Sequence, residues 1–458
     1  MDEPHTIVYV VLCYLFIYLS SVSLEKIAFP NTINNTIMTL RYFMNKETAL
    51  KESKTFCMLP WTHLHSWPDG RVLPCCMTPS DQVLGNLKEQ SFEQIWNSTK
   101  LKKMRTNMRE GRACKECSRC YEMEKSGMPT TRTWANNWFS NHFDKVESTK
   151  VDGTVDKVNI PYIDFRFSNI CNFKCRSCGP ELSSSWYDDQ KKLYGSSPTE
   201  RKIIRPYKNE EMFWKKVEPY MDGLEEIYFA GGEPLIMEEH YRILKRLDER
   251  KMYHVRLKYN TNFSQMVFKG MDVLDIWSRF EHVKIGASLD GAYERGEYIR
   301  KGQDWNQVLE NGRNMRNRCQ NAFLFLSSCL SVYNSFHMSD FHIDWIKKGW
   351  IDPVGGSLIN PLITPEELSI QILPKYMKER LTQKWEEADT FMRSQGNTEG
   401  RYKMLTDHLW AKDSTYLIPE FIKRTEKVDK IRNENWLTVF PELSDLAKYV
   451  GSQPVNQP

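Results

Sequence analysis

The chain has 458 residues, enough for two or three domains that each bury a core. Its 63 basic and 59 acidic side chains leave a formal charge of +4, which excludes a broad basic footprint, so no nucleic-acid partner is expected. Charged residues at 27% and hydrophobic ones at 40% are ordinary for a soluble globular protein, and nine of the 12 cysteines fall between residues 57 and 178, unlike an evenly stapled secreted scaffold. This distribution points to a reducing compartment, with the cysteines as metal ligands.

Residues 1–43 stand apart. Ile7 to Leu24 is an 18-residue, mostly apolar run at the lower length limit for a membrane span. Asp2 and Glu3 precede it and no Lys or Arg does, so it lacks the basic start of a signal peptide. Lys26 is the first flanking base and would hold the following chain in the cytoplasm if the run inserted. Three readings stay open: a true start at Met44, a membrane anchor, or a buried helix. A membrane is a partner only if residues 7–24 insert; otherwise the chain is expected in the cytoplasm.

Residues 44–143 form a module rich in cysteine and tryptophan. His63 and His65 alternate on a strand-like stretch (THLHSW) and are read as structural. Ser91-Phe92-Glu93-Gln94 has the form of a capping box. It opens a helix carrying Phe92, Ile95, Trp96, Leu101, Met104 and Met108, with Gly111 where a C-terminal cap belongs. Residues 144–160 are polar and contain Gly, the composition of a linker.

From 161 to 364 strand-like and helical runs alternate. Strands are expected at Tyr162–Phe167, Glu226–Ala230, Val255–Asn260, Val283–Ser288, Phe323–Leu330 and Val354–Ile359. Helices are expected at Met237–Arg250, Lys269–Phe280 and Trp305–Cys319. The alternation predicts parallel βα units, in an open sheet or a partial barrel, with chemistry at the C-terminal ends of the strands. Residues 365–458 read as a helical extension that caps the barrel mouth or binds a partner. Cys319 and Cys329 are read as core.

Chemistry-bearing residues cluster at those strand ends. After the first strand, Cys171-x3-Cys175-x2-Cys178 places three thiols in eight positions. They can hold a metal centre from three sides and leave a fourth open, the mark of a catalytic site. Taken alone, the loop is also half of a zinc site. Gly231-Gly232-Glu233-Pro234 follows the second strand, Asn260-Thr261-Asn262 the third, and Ser288-Leu289-Asp290-Gly291 the fourth. The module adds Cys57, Cys75, Cys76, Cys114, Cys117 and Cys120, in which the C-x2-C pairs also fit a zinc ribbon.

The cysteine triplet, the YFAGGEP segment and the strand order together resemble the radical S-adenosylmethionine (SAM) superfamily, over residues 161 to about 360. The phrases PDGRVLPCC, LGNL and EQIWNS resemble its auxiliary-cluster modules, the SPASM and twitch domains, here placed before the barrel. The resemblance implies an α/β fold: a partial (β/α)6 TIM-like barrel with an N-terminal auxiliary-cluster module and a helical C-terminal extension. It implies a 4Fe–4S cluster on Cys171, Cys175 and Cys178, whose free iron takes S-adenosylmethionine. A second, auxiliary cluster falls to Cys57, Cys75, Cys117 and Cys120, with Cys76 and Cys114 as substitutes.

Gly231, Gly232 and Glu233 are assigned to the methionine amino group, Asn260 and Asn262 to the ribose, Ser288 and Asp290 to the ribose or methionyl end, and Arg300 to the methionine carboxylate. One departure is Ser177, where the family often has an aromatic residue, so Phe173 or Trp186 is left to cover the adenine side. The implied activity is reductive cleavage of S-adenosylmethionine to a 5′-deoxyadenosyl radical that abstracts hydrogen from a peptide or protein. A sugar or nucleotide derivative is the alternative substrate, and a non-enzymatic zinc protein the alternative class. A reductant such as flavodoxin or ferredoxin is the implied partner.

Overall fold

The computed structural model describes residues 45–125, 127 and 129–449. The apolar run Ile7–Leu24 lies outside them, and among the described residues no helix is long and apolar enough to cross a membrane.

The strands of the leading module are β1 (His63–Ser66), β2 (Arg71–Leu73) and β3 (Gly85–Asn86). The remainder are β4 (Tyr162–Phe165), β5 (Lys174–Cys175), β6 (Glu226–Phe229), β7 (Arg256–Thr261), β8 (Val267–Phe268), β9 (Met271–Asp272), β10 (Val283–Ala287), β11 (Arg300–Lys301), β12 (Ala322–Leu330) and β13 (Ser357–Pro361). Nine of these make one sheet in the order β13-β12-β10-β7-β6-β4-β1-β2-β3. From β4 to β13 the neighbours are parallel, as in a partial (β/α)6 barrel.

The sheet does not stop at β4. β1 of the leading module lies parallel to it, His63 opposite Tyr162 through Ser66 opposite Phe165. The module's hairpin therefore continues the barrel sheet and pairs an edge that would otherwise present bare N–H and C=O groups.

Alternation along the strands explains where the core sits. Ile163, Ile227, Leu257, Tyr259, Ile285, Ala287 and Leu326 point outward and are buried. They share one cluster with Leu244, Leu247, Val308 and Met315 of the covering helices. Each large side chain so buried contributes about 1.5–3 kcal/mol. The intervening residues form the concave face, and they are polar or aromatic. Strands covered on both faces by helices read as continuous hydrophobic runs, so a polar inner face signals a hollow.

Two expected helices are shorter than their patterns. The run from Phe92 divides into Phe92–Trp96 and Thr99–Arg109, because the Ser98 side chain accepts from Leu101 N (3.4 Å) and starts the second piece. The run 269–280 yields only Val273–Trp277, capped where Asp272 accepts from Leu274 N (2.9 Å), because β8 and β9 occupy its start. Residues 144–160 are tied into the module: Arg105 Nη1 donates to Gly153 O (3.2 Å) and Trp61 Nε1 to Thr149 Oγ1 (2.8 Å). At the other end, the helix Ile418–Arg432 packs beside the helix Trp186–Tyr194 that follows the cysteine loop.

Candidate active site

The loop leaving β4 carries Cys171, Cys175 and Cys178, all half-buried. Its shape is fixed by side chains that hold its carbonyls. Ser185 Oγ donates to Cys171 O (2.7 Å), Ser183 Oγ to Phe173 O (2.6 Å) and Trp186 Nε1 to Cys175 O (2.7 Å). Phe173 and Trp186 are themselves buried, packed beneath the loop. Burial pushes the Cys178 thiol up to about 12, and Cys171 is raised by burial and by Cys175. Three mutually repelling, desolvated thiols suit thiolate only beside a strong cation. Arg300 and Arg432 both bear on Cys175, and Arg300 Nη1 lies 3.8 Å from its Sγ, across the β5–β11 pair.

Arg300 is tied to Asp290. Its Nε lies 2.8 Å from Oδ2, and its Nη2 donates to Oδ1 at 2.9 Å. Asp290 Oδ1 also accepts from Cys329 N (2.7 Å). Cys329, read from sequence as core, is instead half-buried at the end of β12, where Asp290, Arg300, Ser177 and Cys175 all bear on its thiol. Strand position alone suggested a packed thiol; the register turns this one to the concave side, opposite Asn360 on β13. Cys319 is buried, its thiol donating to Leu274 O.

The Gly231-Gly232-Glu233 segment crosses directly over the start of the cysteine loop, with Glu233 N donating to Ile170 O (2.8 Å). Gly232 has φ +55°, and a Cβ there would stand 2.3 Å from Ile170 O, so only glycine fits. Glu233 is turned inward. Its carboxylate accepts from Leu235 N (3.0 Å), Thr261 Oγ1 (2.7 Å) and Asn262 N (2.6 Å). Asn262 Nδ2 in turn donates to Asn172 Oδ1 of the cysteine loop (2.8 Å). Asn260 sits half-buried on β7, and Ser288 N donates to Thr261 O (2.7 Å). The predicted residues thus lie along one rim formed by the ends of β4, β6, β7 and β10, with Arg300 beyond it.

In the leading module, Cys57, Cys75, Cys117 and Cys120 stand together. Cys117 is raised by burial and then by Cys57, Cys75, Cys114 and Cys120, while Cys57 feels Cys75 and Cys120. Cys114 is buried, its thiol donating to Met104 O (3.8 Å). Cys76 is exposed and turned toward Asp164, Arg166 and Lys258 of the barrel. Arg132 stands beside the group, paired with Glu124 and donating to Phe56 O (2.8 Å). Among the described residues no three His, Cys, Asp or Glu side chains are close enough to hold one ion. The two thiol groups are gathered more loosely, as ligands that each meet a different iron of a cluster must be.

Sequence reasoning missed Arg176, inside the cysteine loop. Its guanidinium donates to Asp429 and to Glu434 Oε2 (2.6 Å) and stacks on Tyr298 at 3.6 Å. Nothing local marks this clasp, because its carboxylates lie more than 250 residues away. A cavity of about 750 Å³ between the β2–β3 region and residues 198–212 contains none of the predicted site residues.

Residues 165–328 match the radical SAM superfamily, and residues 57–121 match SPASM, an iron-sulfur cluster-binding domain. The chain carries a radical SAM domain and a SPASM domain. No curated protein matches it. Similar solved structures include anSMEcpe with bound AdoMet and a Cp18Cys peptide, at 16% identity and TM-score 0.33, over 49% of this chain and 59% of that one. Another is Streptococcus suis SuiB bound to S-adenosylmethionine, at 12% identity and TM-score 0.32, over 64% of this chain and 62% of that one. The matched regions thus span about three-fifths of those structures. As a radical SAM protein with a SPASM domain, the chain takes a 4Fe–4S cluster, S-adenosylmethionine and auxiliary iron–sulfur binding. Its two thiol groups have the donor chemistry for these groups.

Proposed function

We propose that the chain is an enzyme that abstracts hydrogen from a peptide, protein or small-molecule substrate by radical SAM chemistry. Bound together, the cluster and S-adenosylmethionine supply the reactive 5′-deoxyadenosyl radical. Everything else falls to the chain's own residues. Cys171, Cys175 and Cys178 would hold the 4Fe–4S cluster beside which S-adenosylmethionine binds. Gly231 and Gly232 let backbone approach the methionyl group, and Glu233 positions that segment by binding Thr261 and Asn262. Asn260, Asn262 and Ser288 line the rim where the ribose lies, and Arg300, held by Asp290, presents a guanidinium beside Cys175.

Cys57, Cys75, Cys117 and Cys120 hold the auxiliary cluster. A reductant such as flavodoxin or ferredoxin and a cytoplasmic setting belong to the same proposal. The observation that carries it is the convergence of the three-thiol loop with the Gly231–Glu233 crossing and the Asp290–Arg300 pair at the ends of parallel strands.

Iron per chain after anaerobic reconstitution tests it, compared between wild type and a variant with Cys171, Cys175 and Cys178 all changed to Ala. About eight irons falling to about four is expected, with S-adenosylmethionine cleavage lost in the variant. Zinc without iron in both proteins, or cleavage that survives the triple substitution, would overturn it.

A further inference from the structure

The concave face of the sheet carries a charge pattern that the rim does not use. Tyr228, Lys258, Lys284 and Phe323 are registered across β6, β7, β10 and β12 in a single layer. Glu226, one layer down, is shared by Arg256 (3.2 Å) and Lys258 (3.4 Å). Lys284 forms no ion pair with any described residue. Its amine lies over the rings of Phe323 and Phe325, at 5.5 and 5.2 Å. It faces Lys258 and Arg401, and burial with those two cations lowers it from the usual lysine range, opposed only by Glu226. Arg401 is itself held by Glu399 and the carbonyl of Ser357.

Trp134 of the leading module reaches the same place, its ring 4.3 Å from Lys258 Nζ. On the same face of β10, Gly286 makes room for the Asn260 and Phe325 side chains, which a Cβ there would meet at 2.4 Å from Oδ1 and 2.7 Å from Cζ. Lys284 is exposed and Lys258 half-buried, so water screens their repulsion in part, and the aromatic rings beside them limit that screening. An anion inserted between them removes that repulsion and gains charge-assisted hydrogen bonds.

We propose that the concave face binds an anionic group of the substrate, a carboxylate or a phosphate, through Lys284 and Lys258, with Trp134, Phe323 and Phe325 flanking it. This rests on the radical SAM reading of the rim. It also sets a length: Lys258 lies two residues before Asn260 and Lys284 four before Ser288, so the anion sits about 7–13 Å below the rim at roughly 3.3 Å per residue. The substrate is elongated, with its reacting carbon at one end and the charge at the other.

The test is competitive labelling of the reconstituted full chain. Limited acetylation by acetic anhydride is followed at Lys284 and at exposed Lys427 by peptide mass spectrometry, with inorganic phosphate, succinate or chloride added at equal ionic strength. Phosphate or succinate is expected to slow labelling of Lys284 about fivefold or more relative to Lys427, chloride is not, and Lys258→Gln should weaken the protection. Protection at lower phosphate than succinate assigns a phosphate ester; the reverse order assigns a carboxylate. Equal labelling of Lys284 with and without either anion overturns the proposal. Iron measured on the same samples keeps the two readings separate. Full iron with an unprotected Lys284 removes the substrate class and leaves the enzyme. A protected Lys284 in a protein that takes up no iron keeps the anion site and removes the radical chemistry.

Discussion

Glu233 shows how a single carboxylate holds the rim together. Burial raises its pKa to about 7, against the donors Asn262 N, Thr261 Oγ1 and Leu235 N, which pull it down. A carboxyl raised above its usual 4.5 stabilises the fold while protonated. That contribution is complete below about pH 4.5 and is lost as pH rises through 7. Between pH 6 and 8 the wild type should lose about 1 kcal/mol that Glu233→Gln does not lose, read from urea unfolding of both proteins at the two pH values. Gly232→Ala is a harsher change. It places a Cβ against Ile170 O in a left-handed backbone and should lower stability by about 2 kcal/mol or more in the same assay. The presence of these residues was legible from the Gly-Gly-Glu-Pro run. The direction of the carboxylate was not, because its partners Thr261 and Asn262 come from the next strand.

The cysteine loop is an element held from outside itself. Arg176 ties it to Asp429 and Glu434, and Asp429 also accepts from Tyr298 Oη (2.7 Å) and Trp436 N (2.8 Å). Removing one partner of such a buried pair leaves the others uncompensated, a loss of about 3 kcal/mol. Arg176→Met should therefore lower the urea midpoint and shed iron from the barrel loop on gel filtration, while iron in the leading module stays. Full retention would show that the clasp does not position the thiols. At this scale the sequence spoke clearly for the six parallel strands, whose alternation and turn residues are local. It was silent on the break at Ser98, where one side chain outbids a continuous apolar pattern. It read residues 144–160 as a linker from their polarity, whereas their backbone accepts from the buried Arg105 and Arg109.

Across the whole molecule the two modules share one sheet. Barrel and leading module should therefore unfold in one transition, and a chain beginning at residue 158 should aggregate, because β4 would present an open edge. Calorimetry of the full chain and light scattering of the shortened one check this; two resolved transitions would show the sheet to be uncoupled. No run of residues announces such a pairing, since a parallel partner about a hundred positions away leaves no local mark. The sequence-visible charge balance was just as unrevealing, for a net of +4 hides a hollow where Lys258 and Lys284 stand together.

The β1–β4 pairing also orders events in time. A ribosome delivers β1 about a hundred residues ahead of β4, which at roughly 5–20 residues per second is a wait of about 5–20 seconds. The hairpin of the leading module is complete before the first barrel strand emerges. Each new strand then adds to an edge already in place: β4 on β1, β6 on β4, β7 on β6. A module that precedes the barrel in the chain can thus serve as the template on which the barrel is laid down, and a nascent chain loaded with iron early would meet its barrel already braced.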